Sequence, residues 1–296
     1  MIRGRNWYPL AVFAAVLMIT VTVHADEDSE PDYEPAAVEH YNTGVANLEE
    51  RNYDQAITDF RSAINIEPGY ADAYYGLGLA HLGMRNQTEA LEAFSQAVSA
   101  DPKHARAHFN RGKILFMQRK YQDAIGAYEQ AVTHKEDYPE AFYAMGMAKK
   151  KIDDYAGALE AFTRATELDP QMAEGFYMTG STLRSLKRYS EAVDAYQAAI
   201  GVDARYAMAY YWLAETYKEL NRNSEAIDAY AKAAQYDKRK FSKAYCKIGD
   251  IYYERGAYND ALTQYKKMPR IDSDWYEYAQ GQIKHIQSKL QNNTAG

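Results

Sequence analysis

The chain has 296 residues, a formal net charge of −7, 28 tyrosines and a single cysteine. An acidic chain lacks the broad basic surface that a nucleic-acid backbone demands, and one cysteine excludes an internal disulfide. Length alone allows one large domain or two smaller ones.

Residues 1–25 open with Arg3 and Arg5, continue through the apolar run LAVFAAVLMITVTV ending at Val23, and close on the small-x-small sequence Val23-His24-Ala25. A helix that spans a bilayer needs about 20 apolar residues, so this shorter run predicts a secretory signal peptide cleaved after Ala25. The mature protein is then exported, periplasmic or secreted, and a membrane attachment arises only if the segment stays uncleaved. Residues 26–36 are acidic, contain prolines and show no apolar period, which predicts a disordered, solvated linker.

From Ala37 onward the sequence repeats with a period of about 34 residues. In residues 71–104 the positions Tyr74, Leu77 and His81, then Ala90, Leu91, Phe94 and Ala97, recur at the three-and-four spacing of amphipathic helices. Each unit is therefore two helices. Gly78 and Ala90 are small where the helices must approach closely, and Phe94 is the bulky knob beside them. Pro102 lacks an amide donor and turns the preceding residue away from helix, so the second helix ends near Asp101.

Seven such units follow one another at 37–70, 71–104, 105–138, 139–172, 173–206, 207–241 and 242–275, the last after one inserted residue near Phe241. The eighth place is Gly44, Gly78, Gly112, Gly146, Gly180, Ala214 and Gly249. The knob is Phe60, Phe94, Tyr128, Phe162, Tyr196, Tyr230 and Tyr265. Beyond them Trp275, Ala279, Ile283, Ile286 and Leu290 form one helical stripe, with Lys284, Gln287 and Lys289 off it. Stacked repeats need a terminal element with a polar outer face, so 275–290 is predicted as a capping helix and 291–296 as a fraying tail.

The aromatic, Leu-Gly, small-residue, knob and proline offsets resemble those of the tetratricopeptide repeat. The resemblance implies an all-α, right-handed superhelical solenoid of helix-turn-helix units with a C-terminal capping helix. It also implies a non-enzymatic binding scaffold, whose first helices line a concave groove with the fifth place of each unit pointing inward. That place reads Tyr41, Tyr75, Phe109, Tyr143, Tyr177 and Tyr211, then Cys246. Two readings of this ladder stand side by side: rings that stack on a ligand, or packing generic to the repeat. The other groove places carry a basic row, Arg106, Lys113, Lys150, Arg184 and Lys218, with Asn110 among them. They are either a site for an acidic partner segment or a solvated face. The family's clamp for a chaperone C-terminal carboxylate needs Lys and Asn at the fifth and ninth places of one unit. Here Tyr75 and Leu79 precede Asn110, so that clamp is not carried over.

No Gly-rich phosphate loop, nucleophile elbow or paired His-Glu helix motif is present in the sequence. His104 and His108 are four apart, yet one falls in a turn and the other at a packing place, so neither a metal nor another cofactor is expected. Cys246 reads as a spare thiol. The resulting expectation is a monomeric scaffold that holds an extended or helical segment of another envelope or secreted protein. It would help assemble a cell-envelope or secretion complex. The alternative is a carbohydrate-binding scaffold in polysaccharide export, stacking sugars on the aromatic ladder.

Overall fold

The computed structural model describes residues 33–294. The signal-peptide segment and most of the acidic linker lie outside the described residues. All regular structure among the described residues is helical. Contacts divide the chain into two compact units, one ending at Ile114 and the other beginning at Leu115.

The first unit contains α1 (Pro35–Glu49), α2 (Tyr53–Ile66), α3 (Ala71–Gly83), α4 (Gln87–Ala100) and most of α5 (Ala105–Met117). The helix begins two residues before the expected linker ends, with Pro35 in its first turn, where a missing amide donor costs nothing. Tyr33 stacks on Tyr70 with ring centroids 4.1 Å apart, so part of the linker is anchored. Within this unit α1 packs antiparallel on α2 and α3 on α4, and α2 packs in turn on α3.

The second unit contains α6 (Tyr121–His134), α7 (Pro139–Lys151), α8 (Tyr155–Leu168), α9 (Ala173–Ser185), α10 (Tyr189–Val202), α11 (Ala207–Glu219) and α12 (Asn223–Tyr236). It closes with α13 (Lys238–Phe241), α14 (Ala244–Glu254), α15 (Tyr258–Tyr265) and α16 (Ser273–Thr294). Here α6 packs on α7, and from α7 onward each second helix packs on its own first helix and on the first helix of the next pair.

Close approach at the eighth place is visible in both units. A Cβ added to Gly78 would fall 2.5 Å from the Phe94 ring, and one added to Gly146 2.8 Å from Phe162. The knobs Phe60, Phe94, Phe162, Tyr196, Tyr230 and Tyr265 are all essentially unexposed. Phe60 also crowds Gly76 of the following first helix. One ring thus locks a helix pair and its successor together.

The turn between paired helices has a feature that residue types conceal. The fifteenth place of every unit is left-handed: Arg51, Arg85, Arg119, Asp153, Lys187, Asn221 and Gly256, with φ between 58° and 75°. The following amide bonds back five residues, as Asn52 N to Asn47 O at 2.8 Å and Ala257 N to Tyr252 O at 2.9 Å. This is a Schellman closure, which satisfies carbonyls that the helix end leaves open. Six of the seven closures accept the Cβ crowding that glycine avoids.

The inserted residue near Phe241 is absorbed by the single turn α13, which Asp237 caps by accepting from Lys240 N at 2.9 Å. Phe241 is buried there and stacks on Tyr211 at 5.2 Å. As a result α14 starts two residues into its repeat. Its partner α15 is shortened to eight residues and ends ahead of Pro269. The cap α16 is longer than 275–290 at both ends, and residues 291–294 are helical rather than frayed. Ala279, Ile283 and Ile286 pack on Cys246, Ala261, Tyr265 and Met268, while Lys284 and Gln287 face solvent.

Two glycines with open space around them separate backbone strain from packing. Gly256 has φ +75° and Gly126 lies within α6, and a Cβ at either meets nothing within 4 Å. Gly256→Ala is expected to destabilise by about 1 kcal/mol, and Gly126→Ala to stabilise by about 0.5–1 kcal/mol. Thermal or urea unfolding of the two variants beside the parent chain checks both signs.

Candidate functional site

In the first unit the predicted residues form a packed cluster. Tyr41 is half-buried against Phe60 and Tyr70 at centroid distances of 5.9 and 4.9 Å. Tyr75 is buried between Phe94 and His104, at 5.7 and 4.9 Å. Asn110 Nδ2 donates to the Tyr75 hydroxyl at 3.3 Å and to Arg106 O at 3.0 Å, tying α5 to α3. Burial pushes the Tyr75 hydroxyl up to about 12, against the opposing pull of Arg106 and Asn110. The Lys113 ammonium lies over the Phe109 ring at 5.3 Å, and burial lowers its pKa.

The histidine pair is built into the local fold. His104 Nδ1 accepts from Ala107 N at 3.2 Å, capping α5 with a ring nitrogen, while Nε2 faces Asp72 Oδ1 at 3.2 Å. His108 Nε2 faces Pro102 O at 2.9 Å. Those contacts assign the Nε2–H tautomer to both rings. Cys246 is fully buried, its sulfur 3.7 Å from Trp275 O, and burial pushes its thiol up to about 12. The reactive thiolate form is therefore scarce at this position.

In the second unit Tyr143 packs on Phe162, Tyr177 on Tyr196 and Tyr206, and Tyr211 on Tyr230 and Phe241. Tyr75, Phe109, Tyr143 and Tyr211 retain only 5–7% of their exposure. Tyr75, Tyr143 and Tyr211 are packed against neighbouring rings, and a ligand would meet their edges and hydroxyls. Tyr41 and Tyr177 are half-buried.

The basic places of the second unit are open in a different way. Lys150 Nζ donates to Ser181 Oγ of the next first helix at 2.6 Å. The Arg184 guanidinium sits 4.7 Å from the centre of the half-buried Trp212 ring, a cation–π geometry. Lys218 lies 3.7 Å from Glu254, and Lys247 lies 3.7 Å from Glu215 and 5.7 Å from the Trp275 ring. Lys243 stands over Tyr211 at 4.7 Å. Among the described residues no carboxylate forms an ion pair with Lys150, Arg184 or Lys243.

Burial, with Lys151 adding a like charge, pushes Lys150 down to about 8. A lysine pKa lowered by folding means that the native chain releases this proton first. The cost of holding the ammonium is therefore present below about pH 8 and is relieved as pH rises toward the ordinary lysine value.

The knob hydroxyls sort by the ninth place of their own first helix. Where the knob is phenylalanine, that place is Val45, Leu79 or Met147. Tyr230 donates to Glu215 at 2.5 Å, and Tyr265 to Asp250 at 2.6 Å. Tyr196 faces Ser181 instead. Ser181 and Arg184 both approach its hydroxyl without reaching hydrogen-bond geometry, and the Tyr196 hydroxyl and Arg184 Nε are buried without a partner. Trp212, Ser181, Tyr196, Lys243 and Lys247 belong to this face and were not among the sequence candidates. Comparing each knob with its own ninth place would have exposed Ser181 and Tyr196.

Two clefts lie elsewhere. One, about 520 Å³, is lined by Phe142, Met145 and Lys149 with residues of α6 and α8. The other, about 320 Å³, is lined by Tyr74, Leu77 and His81 with residues of α2 and α4. They occupy the same repeat places, so they follow from the repeat geometry, and none of the predicted groove residues lines either.

The architecture defines a helical-repeat solenoid whose side chains are presented from successive first helices. The chain belongs to the tetratricopeptide repeat family: the tetratricopeptide repeat profile matches residues 75–141, 143–207, 177–242 and 213–274, and a further TPR repeat profile matches 46–84. Among solved structures, MamA is 24% identical, covering 55% of this chain and 96% of its own, with TM-score 0.53. YrrB, described as a TPR protein with an unusual peptide-binding site, is 23% identical over 60% of this chain and 92% of its own, with TM-score 0.56. The C-terminal part of a TPR repeat-containing protein from Cytophaga hutchinsonii is 15% identical over 79% of this chain and 95% of its own, with TM-score 0.68. At these identities the likeness is one of fold. Comparison with curated proteins gives no match.

The unequal partnering of the knob hydroxyls has a direct consequence for stability. Tyr230→Phe removes a hydrogen bond to a carboxylate and is expected to cost about 1.5–3 kcal/mol, whereas Tyr196→Phe removes an unpaired buried hydroxyl and should be neutral or stabilising. Equal losses in parallel denaturation curves would contradict this assignment.

Proposed function

We propose that this protein is a non-enzymatic scaffold that holds a segment of another envelope or secreted protein along the first helices of its second unit. The observation that carries the reading is the Arg184–Trp212 pair. Trp and Arg dominate binding hot spots because each combines large contact area with a polar function, and here both are half-buried on adjacent first helices with the guanidinium over the ring. Lys150, Lys218, Lys243 and Lys247 stand on or at the start of first helices of the same unit, which suits a segment of opposite charge. YrrB offers a precedent, in its own description, for a peptide-binding site on this fold.

The packed ring faces of the aromatic ladder favour this reading over the carbohydrate alternative, because sugar stacking needs open aromatic faces. Export is part of the proposal and rests on the composition of residues 1–25. Among the described residues no helix is long and apolar enough to cross a membrane. Assembly of a cell-envelope or secretion complex is the role that fits an exported scaffold.

Replacing Tyr75 or Tyr143 would injure packing, so the test uses Trp212. Residues 26–296 and their Trp212→Ala variant, matched for helicity, serve as baits against the host's envelope fraction. A protein retained by the first bait and lost from the second supports the proposal, and identical captures contradict it. For export, N-terminal sequencing of the protein recovered from its host should read from Asp26, and a chain that still starts at Met1 would argue for an anchor.

A further inference from the structure

The second unit contains four tyrosine knobs, Tyr128, Tyr196, Tyr230 and Tyr265, and the last two have an internal acid to bond. Tyr230 is satisfied by Glu215 and Tyr265 by Asp250. Both acids also meet a second group from a later helix, Lys247 beside Glu215 at 3.7 Å and the Tyr278 hydroxyl donating to Asp250 at 2.7 Å. A carboxylate at the ninth place thus accepts from its own knob below and faces a further polar group above.

The fifth repeat has the same tyrosine, with Ser181 at the ninth place where the next two repeats have an acid. Lys150 reaches across from the preceding first helix to the Ser181 hydroxyl at 2.6 Å. Arg184 lies one turn along the same helix, fixed over Trp212 at 4.7 Å. The Tyr196 ring is fully buried, its hydroxyl has no partner, and the buried Arg184 Nε has none either. Buried donors without acceptors are costly and uncommon in native proteins. Four donors converge here, and serine is too short to serve them as Glu215 and Asp250 serve theirs.

We infer that Lys150, Ser181, Arg184 and Tyr196 form a receptor for one carboxylate, supplied by an internal Asp or Glu side chain of the partner segment. The inference rests on the scaffold reading above and adds the chemistry of the partner. The incoming carboxylate takes the role in the fifth repeat that Glu215 and Asp250 take within the sixth and seventh. It accepts from Lys150 and Tyr196 and faces the guanidinium, which is already oriented by Trp212, so little ordering is required when it arrives. Serine at the ninth place leaves room for this group where an acid would fill it. The second unit's two internal acids mark what the receptor selects.

The test replaces the external carboxylate with an internal one. Ser181→Asp places an acid where Asp250 stands in the seventh repeat, and Ser181→Asn has its shape without its charge. Peptides are selected by phage display against residues 26–296, displayed so that their C-termini are blocked, and resynthesised as C-terminal amides. Selected peptides should share an acidic position whose change to the amide weakens binding by about tenfold or more, as expected for a charge-assisted bond. They should bind Ser181→Asp at least tenfold more weakly and Ser181→Asn as the parent. Ser181→Asp should melt at or above the parent temperature.

Several results would overturn the inference. Peptides that need Trp212 but carry no shared acid, or that bind Ser181→Asp as tightly as the parent, would refute it while leaving the scaffold reading intact. Peptides that bind only with a free C-terminus would move the carboxylate from side chain to chain end and refute it as stated. A fall in melting temperature for Ser181→Asp but not Ser181→Asn would show that the pocket rejects a carboxylate. Binding unaffected by Trp212→Ala, or no selected peptide at all, would refute the scaffold reading and this inference with it.

Discussion

The contact on which everything else depends is a ring from the second helix laid on a small residue of the first. A Cβ at Gly44, Gly78, Gly146 or Gly249 would fall 2.5–2.8 Å from the knob ring, so the helices of these pairs approach more closely than any side chain there would permit. Dispersion between packed atoms is small per contact and large in sum, and full burial of a Phe or Tyr knob gathers many such contacts at one point. Because Phe60 also presses on Gly76 of the next first helix, the same ring sets spacing within a pair and between pairs. A repeat array has no single closed core; within each unit these rings perform that task locally.

That placement also explains how the fold reaches the candidate site. Fixing the ring fixes where its para position points, which is toward the ninth place of the first helix: the hydroxyl of Tyr230 meets Glu215 there, and that of Tyr265 meets Asp250. A phenylalanine knob is compatible with Val45, Leu79 or Met147 at that place, whereas a tyrosine knob demands a polar group. The chemistry of the first-helix face is thereby written partly by residues of the second helix, one layer below. Tyr196 with Ser181 is the case in this unit where that demand is answered by a neutral group.

The sequence carried the repeat period, the knobs, the small eighth place and the apolar stripe of the cap, since each is a strong steric requirement that few residue types satisfy. The left-handed turn place was illegible because Arg51, Asp153 or Asn221 stand where glycine would have announced it. Depth was equally hidden. Periodicity assigns Tyr75, Phe109, Tyr143 and Tyr211 to a face, but only the structure shows that all four are buried and that Phe94, Phe162, Tyr230 and Phe241 pack against the three tyrosines. Lys243 and Trp212 stand at the second and sixth places of their repeats, as Arg106 and Asn110 do, and only the structure shows that Lys243 lies over Tyr211 and that Arg184 lies over Trp212.

A solenoid segment built only for stability would not leave Lys150 desolvated and pushed toward neutrality, nor bury Arg184 Nε and the Tyr196 hydroxyl without partners. Natural sequences tend to violate local rules where function requires it. In the second unit these violations fall on the facing first helices of the fourth and fifth repeats and the knob of the fifth, beside Trp212, on which Arg184 is laid, while the sixth and seventh repeats satisfy the same rule with their own acids. The polar cost is therefore confined to a small part of the array, and the neighbouring repeats, with their internal carboxylates in place, hold the first helices that present it.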